Sequence, residues 1–456
     1  MTFVSFAFAA LFALTLLARF TFGRTKQSPA YLHTLLLFSL VFYGWHIPAY
    51  TVILLFSATI DWLAAKKISE TNSAVARKVL IWVSMSVNLG LLGFFKYADF
   101  AIGLWSELGL GPQREPLGII LPIGISFYTF QSMSYTIDVY RGHFAPTKRF
   151  RDFLLGISFF PQLVAGPIVR ARDIMPQIHR RRGIRTQALL RGAELVIQGL
   201  FLKVVLADNL APLVDARWPS VTKLGNARFA FETALLFSGQ ILSDFAGYSS
   251  IALGLAYLLG FQFRPNFDNP YIATSFREFW TRWHISLSTW LRDYLYVPLG
   301  GNRQSKARTL RNLMLVMLIG GLWHGAAIHF VIWGGIHGLG LVVERVIGFH
   351  RPGGRLRALL WGAVVQGTVL VTWVFFRAES TSQAADFVLV MGAGAWDAGP
   401  SELADLIWLL PLFLMHARAA IRLPATDTER SALTALMFYA CVTAYGPTSD
   451  FIYFQF

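Results

Sequence analysis

The residues with the clearest chemical potential are two histidines that lie inside apolar sequence. His324 occurs in GGLWHGAA, whose small residues let another helix or a ligand approach the backbone closely. His284 occurs in TRWHISLS, with Ser288 four residues further on. A buried neutral imidazole is basic enough to take a proton from a hydroxyl, so both positions are candidates for acid–base catalysis. The alternative at each position is a histidine that only packs in a helical core.

The spacing of the histidines argues against a metal site. His324 and His329 are five residues apart, whereas two ligands on one helix face are four apart, and the sequence has no HExxH motif. His329 and His337 are two turns apart, so zinc or iron would need ligands from other helices. The one cysteine, Cys441, excludes a Cys-rich site and an intramolecular disulfide. We therefore expect no bound metal.

The stretch 275–296, which contains His284, is predicted to be one helix with two faces. Its apolar stripe consists of Phe276, Trp280, Trp283, Leu287, Trp290 and Tyr294. The adjacent polar stripe consists of Arg277, Thr281, His284, Ser288 and Arg292. We expect the polar stripe to line a path for substrate. The alternative is an interfacial helix whose arginines extend to the membrane surface.

The composition identifies an integral membrane protein. Of the 456 residues, 55% are hydrophobic and 14% are charged, and the mean hydropathy is +0.51. These values are too apolar for soluble domains of this length. The net charge of +15 comes from short basic clusters between apolar runs, as expected for cytoplasmic loops. We therefore expect contact with membrane lipid and no binding to nucleic acid.

Apolar runs separated by polar loops predict an all-α, polytopic bundle in a single domain, residues 1–456. The runs that predict spans are 2–18, 30–43, 51–65, 79–97, 117–140, 188–206, 227–263, 359–376, 406–415 and 432–444. The first run has its positive charges after it, which favours a retained span with an external N-terminus over a cleaved signal peptide. The run 227–263 is long enough for more than one pass.

Two further apolar runs have basic residues at both ends, so each is predicted to enter and leave the membrane on the same side. The run 153–169 also contains Pro161, Gly166 and Pro167, which predict broken backbone covered by protein or water. The run 312–344 has no Lys or Arg and predicts a hairpin. In a helical hairpin, His324 would lie about 20 Å from Arg311, deep in the bilayer.

Asp244 is a carboxylate inside the apolar run 227–263. Such a group costs about 3 kcal/mol on insertion scales and is usually paired or functional. A hydrogen bond to Tyr248 or Ser249 between packed helices is one explanation. A contact with substrate is the other, and both remain open.

Two long sequence blocks are specific, and shorter ones support them. The long blocks are FREFWTRWHISLSTWLRDYLYVPLGGNR and GLWHGAAIHFVIWGGIHG, and the supporting blocks are LPIGISFYTFQSMSYTIDVYRG, QLVAGPIVR, SDFAGYSSIALG, WVFFRA and FIYFQF. Together these blocks resemble the membrane-bound O-acyltransferase family, specifically its bacterial alginate O-acetyltransferase branch. The resemblance covers nearly the whole chain. It implies roughly 10–12 helices with re-entrant segments around a central tunnel, with His324 as the catalytic histidine and His284 as a second histidine in that tunnel. The chain departs from the family pattern at Ile328 and His329.

The resemblance also implies an acetyltransferase of the bacterial inner membrane without a permanently bound cofactor. Acetyl-CoA would be the cytoplasmic donor, and Arg303 and Arg308 could bind its phosphates, although ordinary positive-inside charge also explains them. His324 would deprotonate the acceptor hydroxyl, while His284 or Ser288 would stabilise the oxyanion. The acceptor would be an extracytoplasmic polysaccharide, reached through a separate periplasmic transferase.

Other functions fit parts of the pattern. A transporter of polysaccharide or ions would also contain buried polar residues and broken helices, but it predicts internal repeats, and the two halves show no self-similarity. A scaffold for an envelope complex would need no buried base. Within the enzyme class, D-alanyl transfer to teichoic acid from a carrier-protein thioester is the nearest alternative.

Overall fold

In the computed structural model, the regular secondary structure of the described residues consists of helices joined by loops. The described residues are 2–23, 28–110, 115–163, 166–179, 183, 185–349, 354–396, 403–423 and 426–452. Within these ranges there is no β-strand, and the only β-type pairing is an isolated bridge between Asn226 and Ala395. The predicted all-α fold is therefore confirmed.

Of the described residues, those up to Leu200 form ten α-helices. They are α1 (Phe6–Phe22), α2 (Pro29–Gly44), α3 (Tyr50–Glu70), α4 (Ala74–Leu92), α5 (Ala98–Glu107), α6 (Ile125–Tyr140), α7 (Phe150–Ser158), α8 (Phe160–Leu163), α9 (Ala171–His179) and α10 (Thr186–Leu200). Short π-helical segments continue α4 through Gly93–Tyr97 and α10 through Phe201–Ala207.

The remainder forms eleven more α-helices. They are α11 (Asp208–Arg217), α12 (Val221–Leu224), α13 (Ala227–Leu258), α14 (Phe276–Arg282), α15 (Ile285–Leu291), α16 (Lys306–His324), α17 (Ile328–Val346), α18 (Arg355–Arg377), α19 (Thr381–Ala393), α20 (Leu410–Ala420) and α21 (Asp427–Thr443). A π-helical segment, Arg292–Tyr296, continues α15. Short 3₁₀ segments are Trp218–Ser220, Pro270–Ile272 and Leu403–Leu409.

Three helical segments in the described part are long and apolar enough to cross a membrane. They are Ala74–Glu107, Ala227–Leu258 and Arg355–Arg377, and α1 and α2 are shorter apolar helices. Large apolar side chains such as Trp82 and Leu359 are exposed on these helices, at 68% and 70% of their surface. Exposed apolar surface of this kind is stable in lipid rather than in water. The chain is a membrane protein.

The predicted irregular segments are confirmed as irregular. In the run 153–169, α7 ends at Ser158, the single turn α8 follows, and residues 166–170 are not helical. In the run 312–344, α16 and α17 are joined by the three residues 325–327 and pack against each other, which makes the predicted hairpin. The side of the membrane from which each segment enters stays a prediction.

Two predicted spans differ from the structure. The run 227–263 is not two passes, because α13 is one helix of 32 residues, about 48 Å long. The run 117–140 becomes helical only at Ile125. Gly124 before it has a left-handed backbone with φ of 76°, which a glycine adopts without strain.

The chain divides into two compact units. The first consists of Met1–Val196 and Ser250–Arg264, and the second consists of Ile197–Ser249 and Pro265–Phe456. The first unit contains a buried polar cluster, in which Asp61 accepts hydrogen bonds from Ser84 (2.5 Å) and Asn88 (2.9 Å). Both candidate histidines belong to the second unit. The single domain over residues 1–456 stays a prediction.

Candidate active site

His324 lies at the tip of the hairpin formed by α16 and α17. The two helices approach so closely that a Cβ atom on Gly321 would clash with the carbonyl oxygen of Phe330, and one on Gly334 would clash with that of Met317. The backbones therefore touch without side chains between them. This confirms the prediction that small residues around His324 permit close helix packing, and it fixes the position of the imidazole at the end of α16.

His284 lies at a break rather than within a helix, so the predicted continuous helix over 275–296 is wrong. The helix α14 ends at Arg282, Trp283 is extended, and α15 starts at Ile285. His284 itself has a left-handed backbone, with φ of 42° and ψ of 54°. A non-glycine residue in this region costs about 1–2 kcal/mol, so surrounding contacts must hold the break.

The preceding loop supplies those contacts. The backbone carbonyl of Asn266 accepts a hydrogen bond from the N–H of Ile285 (2.9 Å). The Asn266 side-chain Oδ1 accepts hydrogen bonds from the N–H of Ser286 (3.1 Å) and from its hydroxyl (2.8 Å). The N–H of Asp268 donates to the carbonyl of Arg282 (2.9 Å), and the Arg282 guanidinium donates to the Asp268 carboxylate (3.2 Å). These bonds satisfy backbone groups at the broken helix ends. The sequence analysis missed Asn266, because its partners are set by tertiary contact.

The break turns the His284 side chain into a fully buried aromatic environment. The centroid of its ring lies 4.7 Å from that of Phe245, 6.0 Å from that of Trp323 and 6.2 Å from that of His324. The ring of Trp323, in turn, lies 5.0 Å from that of His324. His284, Trp323 and His324 are therefore brought together, although 40 residues separate the two histidines in the sequence.

A cavity of about 80 Å³ adjoins His324. Ser288 contributes a hydroxyl to its lining, and His324 contributes an imidazole. The lining residues are Trp280, Leu287, Ser288, Leu291, Val316, Met317, Gly320, His324, Trp333 and Leu341. A mostly apolar cavity with a few polar groups is typical of a small-molecule site. Its volume is suited to a group of a few heavy atoms next to a base.

The other members of the predicted polar stripe lie elsewhere. Arg277, Thr281 and Arg292 are exposed, and Arg292 pairs with its neighbour Asp293 at 2.7 Å. The continuous polar stripe is therefore wrong, because the break at His284 changes the direction in which side chains leave the helix. Substrate binding by these three residues stays a prediction. The apolar stripe is confirmed as a buried face, including Phe276, Trp283, Leu287, Trp290 and Tyr294.

Asp244 belongs to a buried ionic cluster. The fully buried ammonium of Lys203 lies 2.9 Å from Asp244 and 2.7 Å from Asp208. Asp244 also accepts a hydrogen bond from the N–H of Ile452 (2.7 Å). The sequence analysis considered a hydroxyl partner for Asp244 and missed Lys203. A signal was present, since Lys203 lies in the apolar run 188–206 and Asp244 in the run 227–263, and opposite charges inside membrane helices usually pair.

Of the two arginines proposed for CoA phosphates, Arg303 lies just before α16 and Arg308 lies in its first turn. Arg303 and Arg308 are both exposed, and Arg308 donates a hydrogen bond to the side chain of Gln304 (3.2 Å). Their role stays a prediction. Among the described residues, no group of three or more His, Cys, Asp or Glu side chains is arranged to hold a metal ion.

Comparison with known proteins places this geometry in a family. The sequence profile of the membrane-bound O-acyltransferase family matches residues 149–376, a segment that contains both histidines, the hairpin and Asn266. The chain belongs to this family. It is therefore a membrane-bound acyltransferase, and the paired histidines lie in the part of the chain that defines the family.

Individual members of the family align over most of the chain. The probable alginate O-acetylase AlgI of Azotobacter vinelandii is 40% identical over 436 residues, which cover 93% of this chain and 81% of that protein. The protein of the same name from Pseudomonas aeruginosa is 39% identical, covering 82% and 72%. The peptidoglycan O-acetyltransferase of Helicobacter pylori is 35% identical, covering 77% and 71%.

Proposed function

We propose that this chain is an O-acetyltransferase of the bacterial inner membrane. It moves an acetyl group from cytoplasmic acetyl-CoA toward hydroxyls of an extracytoplasmic polysaccharide, which is alginate-like, another exopolysaccharide or peptidoglycan. The observation that carries the proposal is a pair of buried histidines beside a small cavity in a membrane-bound O-acyltransferase. The ring centroids of these histidines lie 6.2 Å apart. The names of the relatives support polysaccharide acetylation over other acyl transfers.

His324 acts as the general base. The acceptor oxygen forms an ester bond to the acetyl carbonyl carbon while the carbon–sulfur bond of the thioester breaks. The hydroxyl proton passes to His324 and then to the departing CoA sulfur, so the imidazole returns to its neutral form. Positioned acid–base catalysis of this kind contributes roughly 10²- to 10⁴-fold in rate.

The developing oxyanion needs a hydrogen-bond donor close to the base. His284 and Ser288 are the candidates, because His284 adjoins His324 and Ser288 lines the same cavity. A fixed donor in a water-poor site stabilises the charge more strongly than water would. The ring of Trp323 packs beside both histidines and restricts the positions that their rings can take.

The chain works as a multi-pass protein with its donor on one side and its acceptor on the other. Acetyl-CoA approaches the cytoplasmic face, where the exposed Arg303 and Arg308 meet its phosphates. A polymer is too bulky for a cavity of about 80 Å³. A separate periplasmic transferase therefore receives the acetyl group and delivers it to the polysaccharide.

The proposal is tested in proteoliposomes with purified protein. Acetyl-CoA supplied on the side of Arg303 and Arg308 should support transfer to a small hydroxyl surrogate or to the periplasmic partner on the opposite side. His324→Ala should lower the rate by roughly 10²- to 10⁴-fold without lowering the amount of folded protein. His329→Ala is the matched control, because this buried histidine is on the same hairpin and does not line the cavity.

Three results would contradict the proposal. Full activity of a well-folded His324→Ala protein removes the proposed base. Acetylation of intact polysaccharide by the purified chain alone removes the handover to a partner. Activity with a charged carrier protein but none with acetyl-CoA changes the reaction to D-alanyl transfer.

A further inference from the structure

The C-terminal segment 446–452 is bonded into the second unit by the cluster around Lys203. The Lys203 ammonium donates to the carbonyl oxygen of Ser449 (2.9 Å) and lies 3.1 Å from its hydroxyl. The Ser449 hydroxyl donates to Asp208 (2.5 Å), and the N–H of Ile452 donates to Asp244 (2.7 Å). The segment therefore contributes bonds to the lysine and to both carboxylates.

The cluster is complete only when this segment is in place. One ammonium faces two carboxylates in a buried setting, so the ionic contacts leave an excess negative charge. Buried charge of this kind is tolerated when further hydrogen bonds satisfy it. The donors from Ser449 and Ile452 provide those bonds. The buried charges thus hold the C-terminal segment in one position.

The same segment places an aromatic ring next to the candidate active site. Phe451 is fully buried, and its ring centroid lies 4.3 Å from that of Tyr248 and 5.9 Å from that of Phe245. Phe245 follows Asp244 directly in α13, and its ring meets that of His284 edge to face at 4.7 Å. A continuous line of contacts therefore runs from the charge cluster to His284.

We propose that the Lys203 cluster positions His284 through Phe451 and Phe245. Phe451 is then a positioning residue, because it acts on His284 through Phe245. The inference rests on the proposed function, in which His284 stabilises the transition state. Dense packing transmits small displacements, so loss of the Phe451 ring lets Phe245 and the imidazole move.

The first test is kinetic. Phe451→Ala should lower kcat roughly 10- to 100-fold, as expected when a catalytic group is displaced by about 1 Å, with little change in KM for acetyl-CoA. Phe451→Leu keeps part of the side-chain volume, so its kcat should fall less than that of Phe451→Ala. Tyr445→Ala is the matched control, because this aromatic residue lies just before the segment but is 69% exposed.

A double-mutant cycle tests whether the effect passes through His284. In a His284→Asn background, adding Phe451→Ala should lower kcat by less than about twofold, since the effects of residues that act as a unit are not additive. Asparagine is used because it tolerates the left-handed backbone at this position. A merely structural role would give the same loss in both backgrounds.

A labelling experiment does not depend on acyl transfer. Diethyl pyrocarbonate followed by mass spectrometry should leave the buried His284 unmodified in the wild-type protein and modify it in Phe451→Ala or Phe451→Leu, with the exposed His46 modified in all. Any of three results would overturn the proposal. They are a wild-type kcat in Phe451→Ala, additive losses of kcat in the double mutant, and a His284 that stays unmodified in the Phe451 variants. An inactive wild-type protein would refute the proposed function, and the labelling comparison would still test the positioning of His284.

Discussion

Replacement of Gly334 by alanine tests whether close backbone contact in the hairpin positions His324. A Cβ atom at this position would lie well inside 3.0 Å of the Met317 carbonyl oxygen and 3.2 Å from the Cα of Gly321. Neither obstacle is a flexible side chain. The helices α16 and α17 must therefore separate by roughly 1 Å to restore ordinary contact distances.

The separation should affect both stability and catalysis. Overpacking of this kind costs about 1–3 kcal/mol in the free energy of unfolding. A shift of about 1 Å at His324 should lower the rate of acetyl transfer roughly 100-fold. Gly335→Ala is the matched control, because its added Cβ would meet only the Leu318 side chain, at an ordinary 3.5 Å.

The assay compares thermal unfolding in detergent with acetyl transfer in proteoliposomes for both variants. Gly335→Ala should match the wild type or gain up to about 1 kcal/mol from its helix propensity. Gly334→Ala should unfold at a lower temperature and transfer more slowly. Close backbone contact does not position His324 if Gly334→Ala and Gly335→Ala have the same unfolding temperature and the same rate of acetyl transfer.

Three other predictions concern the break, the cavity and the topology. Asn266→Ala should destabilise the protein by about 1–3 kcal/mol and lower acetyl transfer, because the partly buried donors of Ser286 lose their acceptor; wild-type unfolding would contradict this. Ser288→Ala should lower kcat roughly 10²-fold if its hydroxyl is the oxyanion donor, and an unchanged kcat assigns that role to His284. Ser305→Cys and Gly354→Cys, each in a Cys441→Ala background, should both react with an impermeant thiol reagent from the cytoplasmic side, and labelling from opposite sides would show that the hairpin crosses the membrane.

The fold around His324 was predictable because its determinants are local. A run without Lys or Arg, bounded by basic residues, predicted the hairpin. The small residues near His324 predicted close packing of its two helices. Both features depend on neighbours within one helix or on the adjacent helix, and the structure confirms both.

The surroundings of His284 were not predictable in the same way. The apolar residues on both sides of the break keep helical spacing, so periodicity gives no sign of it. The break depends on Asn266, which lies 20 residues before Ser286 and bonds to it across the fold. A tertiary contact of this kind overrides local propensity. The polar stripe was wrong for the same reason.

The ligands of Lys203 are made at very different times during synthesis. Asp208 and Asp244 follow the lysine closely, whereas Ser449 comes 246 residues later. At about 5–20 residues per second, that separation takes roughly 12–50 s. During this interval the Lys203 cluster lacks the hydrogen bonds from Ser449 and Ile452. A variant truncated before residue 446 should therefore unfold more readily than the chain that contains residues 446–452.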